Sequence, residues 1–265
     1  MKQSVPRLCL FGDGKMSRAV QAAAKAWDVT VTSVFNGDDL RNGQPRKKAA
    51  LKGAEVGLDF SAPEAVPGNV RRAVALELPL VVGTTNWQDQ APDVKAAVLN
   101  GEGSLLHAPN FAYALNVLIY LLKQAALLFD GEEGFDPFIW EKHHARNEES
   151  PSGTALYIGE VLLDAIDHKD LLHIGPGSGP ISSNQLSVAS VRAGSDPGCH
   201  TVGFDGTAEM LELVHTVRDR SAFAAGAIRA ACWLHGRKGI YTMEDVMEDL
   251  IGQAHIALEE GLGET

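Results

Sequence analysis

The sequence has few cysteines, no long apolar run and few aromatic side chains. Its 3 cysteines in 265 residues lie at positions 9, 199 and 232, without the Cys-x-x-Cys spacing of a metal site. Cys9 and Cys232 lie in apolar runs, so we expect reduced, buried thiols rather than disulfides or metal ligands. No apolar stretch has the length needed to cross a bilayer, which predicts a protein without a membrane partner.

Basic residues are also in deficit, because 23 Lys and Arg stand against 34 Asp and Glu, for a net charge of −11. Binding to nucleic acid needs a basic face, so this balance argues against a nucleic-acid partner. It does not exclude a small anionic substrate, because a local basic pocket can form in an acidic protein. The first apolar run is too short and wrongly flanked for a signal peptide, so we expect a cytoplasmic protein.

Along the first 110 residues, short apolar runs alternate with helical patterns. The runs that predict strands are 7–11, 29–35, 54–60, 78–82 and 104–107, and the helical patterns are 16–27, 64–75 and 92–99. Residues 38–52 are polar and predict a surface segment. Strands that alternate with helices at this spacing predict an α/β domain with a parallel sheet.

After residue 110 the pattern changes. Helices are predicted at 113–129, 152–166, 221–235 and 244–252, and strands at 138–141, 185–192, 200–204 and 209–215. These strands lack regular helical crossovers, which predicts a smaller α+β domain with an open mixed sheet. We therefore predict a dinucleotide-binding domain at 1–110, completed by 236–265, and a substrate-binding domain at 111–235. Residues 175–183 are rich in Gly, Pro and Ser and predict a mobile loop.

The segment Gly12-Asp13-Gly14-Lys15-Met16-Ser17 departs from the pattern G-x-G-x-x-G only in its third glycine. It follows a strand and opens a helix, where the two glycines allow a tight turn and a close approach of pyrophosphate to the backbone. We predict a dinucleotide cofactor here. The next strand ends at Asn36 rather than at an acidic residue that favours NAD, and Arg41 or the basic residues 46–48 could meet the 2′-phosphate of NADP. The preference between NADH and NADPH stays open.

Residues 140–155 combine two adjacent histidines with a Pro-Ser-Gly-Thr helix start. His143 and His144 supply imidazoles that titrate near neutral pH. Gly153 and Thr154 offer backbone N–H groups at a helix N-terminus, which favours an anion. A proton donor beside an anion site predicts an enzyme that acts on a small acidic substrate. Adjacent histidines lack the i, i+4 spacing of a zinc site on a helix, and we predict no metal.

In these motifs the chain resembles the dihydrodipicolinate reductase family almost from end to end. The segments that carry the resemblance are 12–16, 59–63, 83–87, 108–111, 141–144, 151–155, 200–204, 220–226 and 241–246. The resemblance implies a Rossmann domain that holds NAD(P)H and a second domain that carries the substrate and forms a homotetramer. It also implies a reductase of lysine and diaminopimelate biosynthesis.

The resemblance implies roles for individual residues as well. His143 would donate or relay a proton during hydride transfer to a cyclic imine dicarboxylate, and His144, Gly153 and Thr154 would hold a substrate carboxylate. Besides the glycine turn and Asn36, the cofactor contacts would be Asp59, Phe60, Gly83, Thr84, Thr85, Pro109, Asn110 and Phe111. The chemistry agrees, because hydride addition to such an imine leaves negative charge that needs a proton donor.

Two positions depart from the family's pattern E-x-H-H-x-x-K-x-D-x-P-S-G-T, and the milder change is Glu149 at the aspartate position. The lysine position holds Asn147, whose amide keeps N–H donors but carries no charge and gives up no proton. Three hypotheses stay open: a reductase of the family's substrate that relies on His143 and Arg146, a reductase of another cyclic imine or unsaturated acid, and a non-catalytic NAD(P)-binding paralogue. Structural or oligomer-contact roles are assigned to Arg192, His200, Glu212, His215 and Arg220.

Overall fold

The computed structural model describes residues 6–87, 89, 91–132, 134–175 and 179–262. The chain divides into two compact units. One is formed by Met1–Tyr113 together with Arg220–Thr265, and the other by Ala114–Asp219. Elements are numbered along the whole chain.

The first unit is an α/β domain. Its strands are β1 (Leu8–Phe11), β2 (Val31–Phe35), β3 (Val56–Asp59), β4 (Leu80–Val82), β5 (Ser104–His107) and β11 (Gly239–Tyr241). Its helices are α1 (Lys15–Ala24), α2 (Gly37–Arg41), α3 (Val66–Ala75), α4 (Ala91–Asn100), α7 (Ser221–Leu234) and α8 (Met243–Leu262). The strands pair in parallel in the order β11-β5-β4-β3-β1-β2, which confirms the predicted Rossmann sheet.

Alternation along the strands builds a core on each face of this sheet. In β1, Leu8 and Leu10 join one buried cluster, whereas Cys9 and Phe11 join the cluster on the opposite face. Successive side chains of a strand point to opposite faces, and a parallel sheet covered by helices is apolar on both. The uniformly apolar runs noted in the sequence are the consequence.

Helix α7 belongs to the first unit, whereas the sequence placed residues 221–235 in the second domain. Its side chains Ala224, Ala227 and Ile228 are fully buried in the same cluster as Leu10 and Leu58. The small residues of the helix allow close packing on the sheet, but small residues alone do not indicate which sheet a helix will cover. The segment 38–52, predicted as a surface segment, is mostly exposed and includes the greater part of α2.

The second unit is an α+β domain with a mixed sheet, as predicted. Its strands are β6 (Asp136–His143), β7 (Leu171–Ile174), β8 (Gln185–Arg192), β9 (Cys199–Asp205) and β10 (Met210–Thr216), and its helices are α5 (Tyr113–Phe129) and α6 (Gly153–Ala165). The order is β10-β9-β6-β8-β7. Strand β6 is antiparallel to β9 and parallel to β8.

Strand β6 is longer than predicted and ends at His143. Alternation in this strand buries Glu141 and His143 on one face of the sheet and directs Lys142 to the other. The predicted strand stopped at residue 141, because the charged residues that follow do not have the composition of a buried strand. Of the predicted mobile loop 175–183, residues 176–178 lie outside the described residues. No described helix combines the length and apolar character that membrane crossing requires.

Candidate active site

The glycine turn of the first unit brings two stretches of backbone close together. Gly12 has φ of +98°, and a Cβ there would lie 2.6 Å from the carbonyl oxygen of Phe60. A side chain at position 12 is therefore excluded by both conformation and space. Gly14 is the N-cap of α1, and among the described residues no side chain caps that helix. The turn thus presents open backbone N–H groups at a helix N-terminus, which suits a phosphate group.

A cavity of about 550 Å³ opens beside this turn. Its lining includes Gly12, Asp13, Gly14, Gly37, Leu40, Arg41, Phe60, Ser61, Ala62, Glu64, Ala65, Gly68 and Arg72. The combination of an open helix N-terminus, two arginines and apolar walls fits the pyrophosphate, ribose and base of a dinucleotide. Four of the predicted cofactor residues, Gly12, Asp13, Gly14 and Phe60, line this cavity.

Asn36 has a local role at the end of β2. Its side-chain oxygen accepts hydrogen bonds from the backbone N–H groups of Asp38 and Asp39. The carboxylate of Asp39 in turn accepts a hydrogen bond from the N–H of Asn36, which completes a capping box on α2. Arg41 lines the cavity and forms an ion pair with Asp38. Arg41 at this wall can bind a 2′-phosphate, but Asp38 competes with that phosphate for the guanidinium.

Asp59 lies beneath the cavity wall rather than on its surface. Its carboxylate is fully buried and accepts bonds from the N–H of Ser61 (2.9 Å), the amide of Asn69 (2.8 Å) and the hydroxyl of Thr84 (3.3 Å). Burial raises the pKa of Asp59, and the donors oppose that shift. Asp59 therefore holds two strand ends, at residues 61 and 84, in position.

The remaining predicted cofactor residues lie at different depths. Lys15 and Met16 open α1, Lys15 being exposed and Met16 packing partly against the core. Gly83 permits close packing, because a Cβ there would lie 2.2 Å from the ring of Phe60. Phe60 in turn makes an edge-to-face contact with Phe111. Three further predicted cofactor residues, Thr85, Pro109 and Asn110, follow the ends of β4 and β5. Thr85 and Pro109 are exposed, and the side-chain oxygen of Asn110 accepts a hydrogen bond from the N–H of Ala112.

In the second unit, a buried carboxylate organises the histidine region. Oε1 of Glu141 accepts bonds from the N–H of Ser152 (3.0 Å), the hydroxyl of Ser190 (2.8 Å) and the guanidinium of Arg192 (2.7 Å). Burial by itself would raise the pKa of Glu141, but these donors outweigh it and lower the pKa to about 2. The carboxylate is therefore ionised at neutral pH and acts only as an acceptor.

His143 lies against this carboxylate. Its Nδ1 is 2.8 Å from Oε2 of Glu141, and the ring is largely buried. The contact has the length of a hydrogen bond but not its alignment, a common state for catalytic groups without substrate. Burial lowers the pKa of His143, and the charge of Glu141 opposes that shift. The ring of His200 lies edge-on at a centroid distance of 5.1 Å.

The N-terminus of α6 lies next to the same carboxylate and already holds a side-chain anion. Ser152 caps the helix by accepting a bond from the N–H of Ala155 (3.2 Å). The N–H of Gly153 donates to a carboxylate oxygen of the exposed Glu149 (3.4 Å). Nδ1 of His144 has no hydrogen-bond partner among the described residues, but it is buried and would need a shift of the ring to reach a ligand. The helix start can therefore take a carboxylate oxygen, with an unused imidazole nitrogen on the adjoining strand end.

Asn147 supports the loop between β6 and α6. Its N–H donates to the carbonyl of His144 (3.0 Å), and its side-chain oxygen accepts from the N–H of Glu149 (3.3 Å). The cation next to His143 is Arg192, because Lys142 lies on the opposite face of the sheet and pairs with Asp196 at 3.3 Å. Asn147 therefore fills a turn position and leaves the positive charge to Arg192.

Glu141, His143 and His200 each place one possible metal-ligand atom within 4.8 Å of the others. The guanidinium of Arg192 already neutralises Glu141, so a divalent ion at this buried position would add uncompensated positive charge. The donor set thus fits a proton better than a metal ion, and the absence of a metal remains a prediction.

Sequence reasoning missed the partners of His143. Arg192 and His200 were assigned structural or oligomer-contact roles, and Ser190 was not considered. They reach Glu141 from strands β8 and β9, which flank β6 in the sheet. Ser190 and Arg192 lie 49 and 51 residues after Glu141 in the sequence. The available signal was the alternation of β6, which puts Glu141 and His143 on one face.

Comparison with known families agrees with this arrangement in both units. A family model described as dihydrodipicolinate reductase, N-terminus, matches residues 7–111, and one described as dihydrodipicolinate reductase, C-terminus, matches residues 114–247. The 4-hydroxy-tetrahydrodipicolinate reductase of Neisseria meningitidis serogroup A is 35% identical over 201 residues, covering 74% of each chain. The enzyme of that name from Christiangramia forsetii is 29% identical over 243 residues, covering 92% of this chain and 98% of its own.

Solved structures show the same fold. The dipicolinate-bound dihydrodipicolinate reductase from Paenisporosarcina sp. TG-14 superposes with a TM-score of 0.72 at 20% identity, covering 91% of this chain and 99% of its own. An amine dehydrogenase from Mycobacterium smegmatis has a TM-score of 0.56 at 10% identity, covering 91% and 96%. At these identities the likeness concerns the fold alone.

Proposed function

The chain belongs to the dihydrodipicolinate reductase family and is a nicotinamide-dependent oxidoreductase, and we propose that it reduces 4-hydroxy-tetrahydrodipicolinate in lysine biosynthesis. The observation that supports this substrate is the pairing of His143 with the N-terminus of α6 through one carboxylate, Glu141. A cyclic imine with two carboxylates needs both a proton donor and an anion site. The reductase of the family's own substrate is therefore preferred to the two other hypotheses.

In the proposed reaction, the second unit binds and protonates the substrate. The N–H groups at the start of α6, at Gly153 and Thr154, hold one substrate carboxylate in place of Glu149, with His144 as the other predicted contact. A bound reduced nicotinamide supplies the hydride. His143 donates a proton to the nitrogen or conjugate carbon on which negative charge develops. Arg192 offsets the negative charge of Glu141, which would otherwise repel a dianion.

The cofactor would bind in the first unit. The backbone at Gly12 and Gly14 would hold the pyrophosphate at the start of α1, while Arg41 and Arg72 contribute positive charge to the cavity wall. A 2′-phosphate of NADPH would have to compete with Asp38 for Arg41, and the proposal leaves the preference between NADH and NADPH open.

The direct test is oxidation of NADH and of NADPH with freshly generated 4-hydroxy-tetrahydrodipicolinate. Turnover of this substrate with either cofactor supports the proposal. Turnover of other cyclic imines without turnover of this one would favour the second hypothesis. Cofactor binding, followed by nicotinamide fluorescence, without turnover of any imine would favour the non-catalytic paralogue.

Replacing Asn147 with lysine tests the family's lysine position. An ammonium there adds a charge-assisted contact worth about 1.5–3 kcal/mol, so we expect kcat/KM to rise by about 10–100-fold. The matched control is Asn100→Lys, which adds the same charge at an exposed position in the first unit and is expected to change nothing. An equal or lower rate in Asn147→Lys would mean that the site works without a lysine and that Arg192 suffices.

A homotetramer is part of the proposal. One face of the second unit's sheet exposes the apolar side chains Leu171, Val191, Met210 and Val214, each about half accessible. Exposed apolar side chains along one face of a sheet are characteristic of an interface, and the family resemblance supplies the number four. Light scattering after gel filtration is expected to give about four times 28.3 kDa. Val214→Glu should shift the mass toward smaller species, and an unchanged mass would place the interface elsewhere.

A further inference from the structure

Glu141 takes no direct part in the reaction proposed above, yet it is fully buried and lies against His143, Arg192 and His200. We propose that Glu141 is a positioning residue that fixes His143 with its proton on Nδ1, so that Nε2 is the nitrogen that exchanges a proton with the substrate. The expected effect on the reaction rate rests on the proposed function, whereas the tautomer of His143 does not depend on it.

Glu141 can only accept hydrogen bonds. Three donors converge on Oε1, from Ser152, Ser190 and Arg192, and they hold the carboxylate in its charged form. Oε2 is left for the histidine, 2.8 Å from Nδ1 of His143. An ionised carboxylate facing a ring nitrogen requires that nitrogen to carry the proton. The neutral ring of His143 is therefore the Nδ1–H tautomer.

A Cβ at Gly198 would lie 2.8 Å from Nε2 of His143, so any side chain at position 198 would fill the space beside this nitrogen. Gly198 has φ of +151°, in the region that L side chains rarely adopt. The glycine between β8 and β9 therefore leaves Nε2 unobstructed from this side, while Nδ1 is committed to Glu141.

The charged and titratable groups that face His143 are Glu141 on its own strand, His144 after it, Arg192 on β8, Asp196 in the following loop, and His200 on β9, with His215 behind His200. Burial lowers the pKa of His200 to about 4, so His200 is neutral and adds no charge at physiological pH. Glu141 is the negative group in contact with the ring, and it stabilises the imidazolium form that a proton donor requires.

The same carboxylate also aligns the substrate site. Its bond to the N–H of Ser152 ties it to the residue that caps α6. One side chain thus sets the distance between the proton donor and the N–H groups that would hold the substrate carboxylate. This arrangement corresponds to the role of the acid in a catalytic triad, which orients an imidazole and fixes its tautomer without itself being protonated.

The experiment compares the full-length protein with Glu141→Gln, Glu141→Asp and the control Glu160→Gln, which makes the same change at an exposed position on α6. Histidine ring nitrogens are labelled with ¹⁵N, and the His143 signal is assigned by its loss in His143→Gln. We expect the Nδ1–H tautomer in the unsubstituted protein. In Glu141→Gln the amide can donate to Nδ1, so the proton should move to Nε2 and the midpoint of the His143 titration should move to lower pH.

Kinetics provide the second readout. Glu141→Gln is expected to lower kcat by about 10–100-fold, to leave the cofactor dissociation constant unchanged, and to move the pH profile of kcat/KM to lower pH. Glu141→Asp, which keeps the charge, should recover part of the rate and restore the tautomer.

Two results would overturn the inference: an Nε2–H tautomer in the unsubstituted protein, or an unchanged tautomer and pH profile in Glu141→Gln. If Glu141→Gln does not fold, the spectrum of the unsubstituted protein and the titration of Glu141→Asp still show which nitrogen of His143 carries the proton. Absence of turnover in the unsubstituted protein would count against the proposed function but leave the tautomer assignment to be judged by the spectra alone.

Discussion

Replacing His143 with glutamine is expected to lower kcat by about 10²–10⁴-fold, because this is the usual contribution of a positioned proton donor. Glutamine keeps a hydrogen-bonding group near Glu141 but supplies no acid. The cofactor cavity is lined by residues 12–72 of the first unit, so cofactor affinity should not change. Steady-state kinetics and a fluorescence titration with NADPH check the two parts of this expectation.

The pH dependence of the unsubstituted enzyme follows from the same role. A proton donor works in its protonated form, so kcat/KM should fall as pH rises through the pKa of His143. Burial lowers that pKa from histidine's usual value, and Glu141 offsets only part of the shift. The decline is therefore expected to begin on the acid side of the usual histidine range, and it should be missing in His143→Gln.

The matched control for this substitution is His168→Gln, which removes a half-exposed histidine in the same unit. It should leave kcat and the pH profile as they are. If His143→Gln retained full rate with an unaltered profile, His143 would not be the proton donor. A loss of rate that is shared by His168→Gln would point instead to a general effect on the fold.

Replacing Gly226 with alanine is expected to lower the free energy of unfolding by about 3 kcal/mol or more, at the upper end of the cost of overpacking. A Cβ at this position would lie 1.6 Å from the carbonyl oxygen of Phe111, a backbone atom that no rotamer change can move. Helix α7 and the segment after β5 would have to separate. Both are buried in the core of the first unit, so that separation exposes apolar surface and opens voids.

Urea denaturation followed by circular dichroism measures this loss. Gly252→Ala is the matched control, because that glycine lies in α8 and an added Cβ meets no described atom within 4 Å. Alanine there should stabilise the helix by about 0.5–1 kcal/mol. Equal midpoints for Gly226→Ala and the unsubstituted protein would show that α7 can shift without cost. A Gly226→Ala protein that folds should also bind the cofactor more weakly, since Phe111 packs against Phe60 in the cavity wall.

Much of the fold could be predicted from local pattern. The apolar runs with helical stretches between them predicted the strands and helices of the first unit, because a parallel sheet buries both faces and each run must be apolar throughout. The glycine turn was predicted correctly as a strand–turn–helix, since only glycine tolerates the conformation and the contact at position 12. Helix α7 was assigned to the second domain, because a helix of small residues packs equally well on either sheet.

The candidate site was predictable only in part. His143, His144, Gly153 and Thr154 lie within twelve residues, and their chemistry can be recognised from spacing. The sequence also indicated the loss of a charge at Asn147. It did not indicate that Arg192 supplies positive charge at the site, because that contact depends on the pairing of β6 with β8.

The sequence by itself determined the two-unit α/β and α+β plan, the glycine turn, and the meeting of a histidine with a helix start, because each depends on neighbours in the chain. Only the tertiary structure decided which groups surround the histidine. Glu141 meets Ser190 and Arg192 across β8 and His200 across β9, so sheet register, which is set by packing far from the motif, created the network. Burial lowers the pKa of His143, and this shift arises only when the fold excludes water from the imidazole.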